Sequence, residues 1–324
     1  MKAAPGEAEK AGSVGIENRA GARMSTSINR VLISGASGLI GSALAASFER
    51  EGTEVVALAR GQSHGSSVIC WEPSGAGLDP NLVSGFDVVI HLAGESIVGR
   101  WTEKKKKAIR ESRVRGTQNL ATALSGANSK PRVFVCASAI GFYGDRGEEM
   151  LSEGSGTGRG FLPDVCGEWE EASRIAAGAG IRTVNLRTGL VLSSQGGALG
   201  KMMLPFRLGL GGRIGSGEQW WSWIHIDDVV GAVHHAIAAE TVSGPLNMVA
   251  PNAVRNAEFT KVLASTLDLP AVLPVPGAVL KVAFGNTAAD ELFLSSQHVR
   301  PAKLEANGYR FKFADLRGAL SNLV

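Results

Sequence analysis

A glycine turn between an apolar strand and a helix constrains the fold of this chain more than any other feature. The turn, GASGLIG over residues 35–41, ends the β-branched run RVLISG and precedes the helical stretch SALAASFERE. Gly35 permits the tight turn, Gly38 lets the backbone approach a pyrophosphate, and Gly41 lets the helix pack on the sheet. The free N–H groups of the helix start then face negative charge. The pattern predicts a dinucleotide site, and the alternative is a structural turn in another α/β protein.

Strands and helices alternate along the chain after this turn. Further apolar strands read as TEVVALAR, FDVVIHLAG, PRVFVCAS and IRTVNLRTGLVLS, and a long helix reads as TEKKKKAIRESRVRGTQNLATALS. Continuous apolar strands belong to parallel sheets that helices cover on both faces. We predict the α/β class, with a doubly wound parallel (Rossmann) sheet and a smaller, mostly helical C-terminal substrate domain.

The end of the second strand indicates which dinucleotide the turn would hold. Proteins that bind NAD usually place an acidic residue there, whereas this strand ends in Ala59 and Arg60. A carboxylate would repel a 2′-phosphate, and a guanidinium offers it a planar fork of donors. We therefore predict NADP(H). The alternative is that Arg60 is solvated and that a nearby group sets the choice.

The third strand ends in Leu92, Ala93 and Gly94, whose backbone should line the cofactor because glycine allows close approach. The basic run 104–107 that follows lies on the long helix, where four consecutive lysines point in all directions. We interpret it as a solvated face.

Composition excludes several classes of protein. The net charge of +3 gives no reason to expect a nucleic-acid partner. The longest apolar runs are too short and too broken to span a bilayer. Cys70, Cys136 and Cys166 are odd in number and far apart, with neither a disulfide framework nor metal-ligand spacing. We expect a cytoplasmic monomer or homodimer without a metal, acting on a small molecule.

Changes in composition set the expected domain boundaries. The first residues are small and polar and lack the apolar stretch of a secretory signal. After Ser194 the chain becomes rich in glycine and aromatic residues before a helix and a strand return. The predicted units are a disordered extension over 1–29, an NADP-binding Rossmann domain over 30–195 and 224–250, and a substrate domain over 196–223 and 251–324.

Four motifs resemble extended short-chain dehydrogenase/reductases, the class that includes nucleotide-sugar epimerases: GASGLIG, HLAGESI, ASAIGFYG and WIHIDDVV. Longer stretches, such as LRTGLVLSSQGGALGKMMLPFRLGLGGRIGSGEQWWSWIHIDD, resemble one divergent branch. Its members are labelled "epimerase family protein" or cell-division-inhibitor-like. The resemblance covers nearly everything from Arg30 to Val324. It implies the fold and NADP(H) binding, and it supplies no established substrate.

Carried onto this chain, the resemblance implies a set of cofactor contacts. The residues expected at the pyrophosphate are Gly35, Ser37, Gly38, Leu39 and Ile40. Ala59 and Arg60 are expected at the ribose phosphate, and Leu92, Ala93 and Ala137 along the cofactor. Arg113 is expected to face the adenosine, and Val191 to lie near the carboxamide. The alternative for Arg113 is an ordinary ion pair on the long helix.

The superfamily uses a hydroxyl residue, a tyrosine and a lysine for proton transfer. Ser138, at the end of VFVCAS, matches the hydroxyl position, and its alternative is a strand-end cap. No lysine occurs between Lys130 and Lys201, and the chain has only two tyrosines, Tyr143 and Tyr309. The usual tyrosine–lysine couple is therefore absent.

The segment FLPDVCGEWEEAS, residues 161–173, stands where that couple would be. Here the tyrosine position falls near Leu162 or Pro163, and the lysine position near Cys166 or Gly167. We expect a helix to begin near Pro163. Its inward residues should be Val165, Trp169 and Ala172.

Several side chains could replace the missing couple. Tyr143 could lean over the nicotinamide as an acid or form a wall. Cys166 could have a thiol pKa lowered by a helix start, or be a core cysteine. Glu168 and Glu170 could act as acid or base, or simply suit the dipole of a first helical turn. His225 could be a base or a structural residue.

Arginines beside aromatic residues could bind an anionic or planar substrate, and the alternative is a core between the two domains. The candidates are Glu95, Arg100, Trp101, Arg207, Arg213, Gln219, Trp220, Trp221 and Trp223. Two functions remain open at this point. One is an NADPH-dependent oxidoreductase or epimerase-like enzyme. The other is an NADP(H)-binding regulator or redox sensor with little turnover, linked to cell division.

Overall fold

The structure is a computed structural model that describes residues 1–2, 27–61, 67–75, 77–271 and 273–324. The predicted disordered extension over 1–29 lies mostly outside these residues. In chain order, the strands are β1 (Arg30–Ser34), β2 (Glu54–Ala59), β3 (Val68–Cys70), β4 (Val88–His91), β5 (Val133–Ala139), β6 (Met150–Leu151), β7 (Arg182–Thr188), β8 (Leu190–Leu192), β9 (Trp220–Trp221), β10 (Trp223–His225), β11 (Gly244–Met248), β12 (Val254–Arg255) and β13 (His298–Val299).

The helices cover the sheet and build the C-terminal part. They are α1 (Leu39–Arg50), α2 (Glu103–Gly126), α3 (Phe161–Gly178), α4 (Gly197–Arg207), α5 (Ile226–Ala238), α6 (Asn256–Thr266), α7 (Gly277–Phe284), α8 (Asn286–Ala289), α9 (Ala302–Ala306) and α10 (Leu316–Ser321). Short 3₁₀ turns occur at Pro80–Val83 and Ile140–Tyr143, and a π-helical turn at Asp290–Leu294.

A seven-stranded parallel sheet forms the centre, in the order β11-β7-β5-β4-β1-β2-β3. The chain runs outward from β1 to β3, then returns to β4 on the other side of β1. This reversal between β1 and β4 is the topological switch point, outside which ligands bind in doubly wound sheets. The predicted Rossmann class is confirmed.

Apolar residues alternate between the two faces of the sheet because successive strand side chains point in opposite directions. Val31 and Ile33 join a buried cluster with residues of α1 and α5. Leu32 joins a second cluster with residues of α2 and α3. Each strand of this kind is buried on both faces, which explains the continuous apolar runs in the sequence.

The predicted strand IRTVNLRTGLVLS is two strands, because the chain turns at Gly189. A Cβ atom at this position would lie 2.5 Å from the Ser222 carbonyl oxygen, so only glycine allows this approach. β7 stays in the central sheet, whereas β8 leaves it and pairs with β10. The expectation of one continuous strand was wrong.

Sequence reading also missed the edge strand β3, which pairs with β2. The run of three apolar residues is too short to give a periodic signal.

The C-terminal part is mostly helical, as predicted, and packs around Phe259, Leu263 and Leu320. Its tail returns to the first unit, since Leu304 of α9 is buried in the central core. The domain boundaries stay a prediction. Among the described residues, no helix combines the length and apolarity needed to cross a membrane.

Candidate cofactor site and active site

A cavity of about 690 Å³ opens at the carboxyl ends of β1, β2 and β4, at the switch point of the sheet. Predicted cofactor residues in its lining are Gly35, Ser37, Gly38, Ala59, Arg60, Leu92, Ala93 and Gly94. Sequence reading did not predict Ala36, Ala57, Leu58, Trp71, Glu72, Pro73, Ser74, Ala108, Glu111 or Ser112, and it placed Glu95 on the substrate side. Trp71 directly follows the short strand β3, and this aromatic residue was the sequence signal from which part of the cavity wall could have been predicted.

The glycine turn has the geometry that a pyrophosphate requires. Gly35 adopts a φ of 73°, and its carbonyl accepts from the Gly38 N–H at 3.0 Å. Gly38 is the N-cap of α1 and supplies no side-chain cap, so the first N–H groups of the helix point out of the turn. A Cβ atom at Gly41 would lie 2.2 Å from the Gly35 oxygen. These features fit a bound dinucleotide phosphate.

Arg60 lies at the mouth of the same cavity, directly after β2. Its side chain is exposed, and with the other described residues it makes no hydrogen bond or ion pair. Across the cavity, Glu95 accepts from Lys105 at 2.6 Å. This hydrogen bond, with smaller effects of Arg60 and Arg113, lowers the pKa of the Glu95 carboxyl. The placement suits recognition of a ribose 2′-phosphate by Arg60.

A buried serine–histidine pair supports the floor of the cavity. The Ser34 hydroxyl accepts from the N–H groups of Leu92 and Ala93 at 3.2 and 3.3 Å, and it lies 2.5 Å from His91 Nδ1. Since its lone pairs are engaged by these N–H groups, the hydroxyl donates to Nδ1 and fixes the proton of His91 on Nε2. Burial lowers the pKa of His91 to about 4.

Stability should therefore fall as the pH decreases. Folded His91 resists protonation down to about pH 4, whereas in the unfolded chain it protonates near its ordinary value of 6.5. This group stabilises the fold fully above pH 6.5, and about 3 kcal/mol of the unfolding free energy should be lost between the two pKa values. Urea unfolding at several pH values, compared with His91→Gln, measures this slope.

The other histidines whose pKa is lowered by burial remain in both proteins, so the difference between the two curves isolates His91. If the unfolding free energies of the wild-type protein and His91→Gln changed in parallel between the two pKa values, the pH dependence could not be assigned to His91.

The remaining cofactor candidates lie outside the lining of the cavity. Leu39, Ile40 and Gly41 form the first turn of α1, behind the glycine turn. Ala137 lies on β5, and Val191 on β8 opposite Ile224. Their contacts with a cofactor stay predictions.

Arg113 supports the loop after β4. Its Nη1 donates to the Glu95 carbonyl at 2.9 Å, and its guanidinium stands 5.1 Å from the centroid of the Trp169 ring. A Cβ atom at Gly94 would meet this guanidinium at 3.3 Å. The guanidinium thus lies between α3 and Gly94 of the cavity lining, and the contact of Arg113 with the adenosine stays a prediction.

The segment FLPDVCGEWEEAS forms the first turns of α3, which begins at Phe161, two residues before the predicted start. The Glu291 carboxylate caps this helix by accepting from the N–H groups of Phe161 and Leu162 at 2.8 and 2.7 Å. Gly160 has no side chain to serve as the cap. The three predicted inward residues are confirmed as buried: Val165, Trp169 and Ala172.

Cys166 is a core cysteine. Burial, followed by the nearby Glu170 carboxylate, raises the pKa of its thiol to about 12. The alternative of a thiol activated by the helix start was wrong, because desolvation disfavours the thiolate. Cys70 and Cys136 are also unpaired.

Glu168 and Glu170 lie beyond the first turn of α3, which holds Asp164, so the helix dipole does not explain them. Glu168 is half-exposed and lies 3.5 Å from Arg110. Glu170 instead pairs with Arg187 of β7 in the interior: Nε donates to Oε1 and Nη2 to Oε2, both at 2.8 Å. The Ser138 hydroxyl also donates to Oε1, at 2.7 Å.

Tyr143 holds Arg187 from the other side. Its hydroxyl accepts from Arg187 Nη1 at 3.0 Å and donates towards Asn247 Oδ1 at 2.7 Å. The ring has no exposed surface, and burial raises the pKa of the hydroxyl. The catalytic expectation for Tyr143 needs correction, because a fully buried and engaged phenol has no face towards a ligand.

The aromatic and arginine candidates for a substrate pocket are dispersed. Trp223 is buried in the C-terminal core, and Trp101 in a cluster near α3. Trp220 stacks on His298 at 4.0 Å between ring centroids. Arg213 lines a separate cavity of about 370 Å³ on α6, together with Lys261. Trp101 and Trp223 are therefore core residues, and a core between the two domains stays a prediction.

The remaining candidates of this group also point to different neighbours. Trp221 packs on Phe259, and Gln219 donates to the carbonyls of Ile214 and Phe293. Arg100 donates to the Val282 carbonyl. Arg207 is exposed at the end of α4.

His225 is the N-cap of α5, since its Nδ1 accepts from the Asp227 N–H at 3.1 Å. This is the structural role that the sequence analysis gave as the alternative to a base. Asp228 is buried and binds the C-terminal tail: it accepts from Tyr309 Oη and from the N–H groups of Lys312 and Phe313. Among the described residues, no cluster of histidine, cysteine or carboxylate side chains could hold a metal.

Sequence reading weighed Glu170 and Ser138 separately and did not consider Arg187. The signal was present, because an arginine inside the apolar run TVNLRTGLVL needs a buried partner. The identity of that partner depends on how α3 packs on the sheet, which no local pattern contains.

Comparison with known proteins gives consistent matches. Residues 31–248 match the NAD dependent epimerase/dehydratase family, and residues 275–323 match a domain of unknown function, DUF1731. Human epimerase family protein SDR39U1 is 39% identical over 299 residues, covering 91% of this chain and 99% of that protein. YfhF of Bacillus subtilis is 36% identical over 299 residues, covering 91% of this chain and 97% of that protein.

Solved structures are similar as well. The crystal structure of human SDR39U1 with NADPH has a TM-score of 0.83 at 38% identity, covering 91% of this chain and 98% of that chain. A nucleoside-diphosphate sugar epimerase from Corynebacterium glutamicum has a TM-score of 0.76 at 37% identity, covering 91% of this chain and 58% of that chain. MoeE5 with UDP-glucuronic acid and NAD, at 21% identity and a TM-score of 0.71, shares the fold.

Proposed function

This chain belongs to the NAD dependent epimerase/dehydratase family, and we propose that it binds NADPH and transfers hydride between this cofactor and a small molecule. The observation that carries the proposal is the glycine turn together with Arg60. Both line one cavity at the switch point, and the second strand ends without the carboxylate that proteins binding NAD usually place there. The human relative was crystallised with NADPH, which supports the same cofactor here.

NADPH, when bound, supplies the hydride. The chain contributes the binding site. The N–H groups at the start of α1 hold the pyrophosphate, and Arg60 holds the 2′-phosphate. The backbone of Leu92 and Ala93, braced by Ser34, forms the floor.

The substrate is a small molecule with a carbonyl or alcohol group. The name of the Corynebacterium relative makes nucleoside-diphosphate sugars one class to test. Purified protein should bind NADPH in calorimetry. Loss of the dihydronicotinamide absorbance should then be followed against a panel of aldehydes, ketones, quinones and nucleoside-diphosphate sugars. Absence of NADPH binding would reject the proposal.

Arg60→Ala should weaken NADPH binding by about 10- to 100-fold, because charge-assisted hydrogen bonds to the 2′-phosphate are lost. NADH lacks this phosphate, so its dissociation constant should stay within about twofold. Calorimetry with both dinucleotides gives the comparison.

Arg174→Ala is the matched control, since Arg174 is an exposed arginine on α3 paired with Glu171. It should change neither affinity. Equal weakening of NADH and NADPH by Arg60→Ala would contradict the assignment to the 2′-phosphate.

A second function is an NADP(H)-binding regulator or redox sensor with little turnover. It is favoured by the absent tyrosine–lysine couple and by the engagement of Ser138 with Glu170. Strong NADPH binding without oxidation by any member of the panel would support it. For both functions, we propose a cytoplasmic location and a monomeric or homodimeric state. Light scattering checks the oligomeric state.

A further inference from the structure

Three polar side chains lie in register at the carboxyl ends of adjacent strands. Ser138 of β5 is opposite Arg187 of β7, and Arg187 is opposite Asn247 of β11. All three are buried, and Glu170 reaches over the first two from α3 with its side chain 12% exposed. A buried charge in the middle of a sheet is costly unless it is paired and hydrogen-bonded, and this pair is both.

In the described part of the chain, no group donates a hydrogen bond to the Ser138 hydroxyl oxygen. The Ser138 hydroxyl donates its proton to Glu170 Oε1, so its own lone pairs can accept from another O–H group. The Glu170 oxygens also receive Arg187 Nε and Nη2, in a bidentate pair that fixes the carboxylate plane.

Strand register places Ser138 next to the cofactor cavity. His91 of β4 is opposite Cys136 of β5, so Ala93, which lines the cavity, follows at the level of Ser138 on the neighbouring strand. Adjacent strands are about 5 Å apart. A dinucleotide with its adenosine at Arg60 crosses the switch point, and its nicotinamide half falls over β4 and β5.

We propose that Ser138 and Glu170 are the proton-transfer couple of this site, in place of the absent tyrosine and lysine, with Arg187 as a positioning residue. The inference rests on the proposed function. In the oxidation direction, the C–H bond of the substrate alcohol breaks and its electron pair leaves with the hydrogen as hydride to the nicotinamide of NADP⁺. The alcohol proton passes to Ser138 Oγ, the proton of Ser138 passes to Glu170 Oε1, and the C=O bond forms. Reduction is the reverse.

Charge is conserved within the site during this step. The nicotinamide loses its positive charge when it accepts hydride, and Glu170 loses its negative charge when it accepts the proton. Arg187 stays cationic and in place, since its guanidinium stacks 3.5 Å from the centroid of the Phe142 ring and donates to Tyr143. The net charge of the site is therefore the same before and after the step.

The first test measures binding and needs no turnover. Glu170→Gln removes a negative charge beside the cationic ring of NADP⁺ and leaves Arg187 unpaired. We expect the affinity for NADP⁺ to fall about tenfold relative to that for NADPH, as measured by calorimetry. The double variant E170Q with R187Q removes both charges and should restore the ratio of the wild-type protein. Thermal melts establish that each variant is folded.

Glu168→Gln is the matched control, because Glu168 is a half-exposed carboxylate two residues earlier on the same helix. It should leave the ratio unchanged. An unchanged ratio in folded Glu170→Gln would overturn the inference while the proposed function stands. Failure of the wild-type protein to bind NADPH would overturn the proposed function instead.

The second test uses 9,10-phenanthrenequinone and any carbonyl that the panel identifies as a substrate. Ser138→Ala and Glu170→Gln should each lower kcat about 100-fold or more, with little change in the KM for NADPH. Glu170→Asp should recover part of the rate and shift its pH profile, which a purely structural carboxylate would not do. Wild-type turnover in Ser138→Ala would contradict the relay.

Discussion

Replacement of Gly41 by alanine should lower NADPH affinity by at least about 100-fold, the largest effect on binding that we expect from one methyl group. The added Cβ would lie 2.2 Å from the Gly35 oxygen and 2.8 Å from the Gly35 carbonyl carbon. Both are backbone atoms of the turn, so no side chain can move aside. Helix α1 has to shift away from β1, which displaces the N–H groups that face the pyrophosphate. Calorimetry with NADPH measures the loss.

The same substitution should cost about 1–3 kcal/mol of unfolding free energy, as overpacking does elsewhere. Gly167→Ala is the control, because Gly167 lies on α3 and a Cβ there would meet no atom within 4 Å. It should keep NADPH affinity and stabilise the protein slightly, since alanine favours helices. Equal affinities for NADPH in both variants would show that the turn does not hold the cofactor.

Asp228→Asn should lower the unfolding free energy by about 3 kcal/mol. The Asp228 carboxylate is buried at the start of α5, and it accepts from the Lys312 and Phe313 N–H groups at 2.7 and 2.9 Å. Tyr309 donates to it at 3.0 Å, and burial together with this carboxylate raises the pKa of the Tyr309 hydroxyl. An amide cannot serve all three donors, so one N–H or O–H group is left buried without an acceptor. Urea unfolding at neutral pH measures the change.

Asp227→Asn provides the comparison on the neighbouring residue. Asp227 forms an exposed ion pair with Lys312, and such pairs contribute little to stability because solvent screens them. The difference in unfolding free energy between the two variants separates the effect of a buried, hydrogen-bonded carboxylate from that of an exposed charge. Similar effects of both would mean that the carboxylate of Asp228 is not what fixes the C-terminal tail to α5.

Fixing this tail has a consequence for the cofactor domain. The tail places Leu304 in the central core, and the π-helical turn before it places Glu291 on the start of α3. The C-terminal part thereby holds the helix that carries Glu170. A substitution that releases the tail should affect the orientation of this helix as well as stability.

The sequence by itself determined the parallel sheet, the glycine turn and the position of Arg60. These features depend on neighbours in the chain: apolar runs, the spacing of three glycines, and the residue that ends a strand. The sequence also determined that no tyrosine–lysine couple exists in the usual segment. The positions of the tyrosines and lysines in the chain are enough to show this.

Only the tertiary structure decided the contacts on which the proposed replacement of the couple rests. Ser138, Glu170 and Arg187 come from a strand, a helix and another strand, and their contacts depend on sheet register and on the packing of α3. The same packing buried Tyr143. A buried charge has to be paired, and a sequence shows this need without showing the partner, because distant parts of the chain meet only when the core forms.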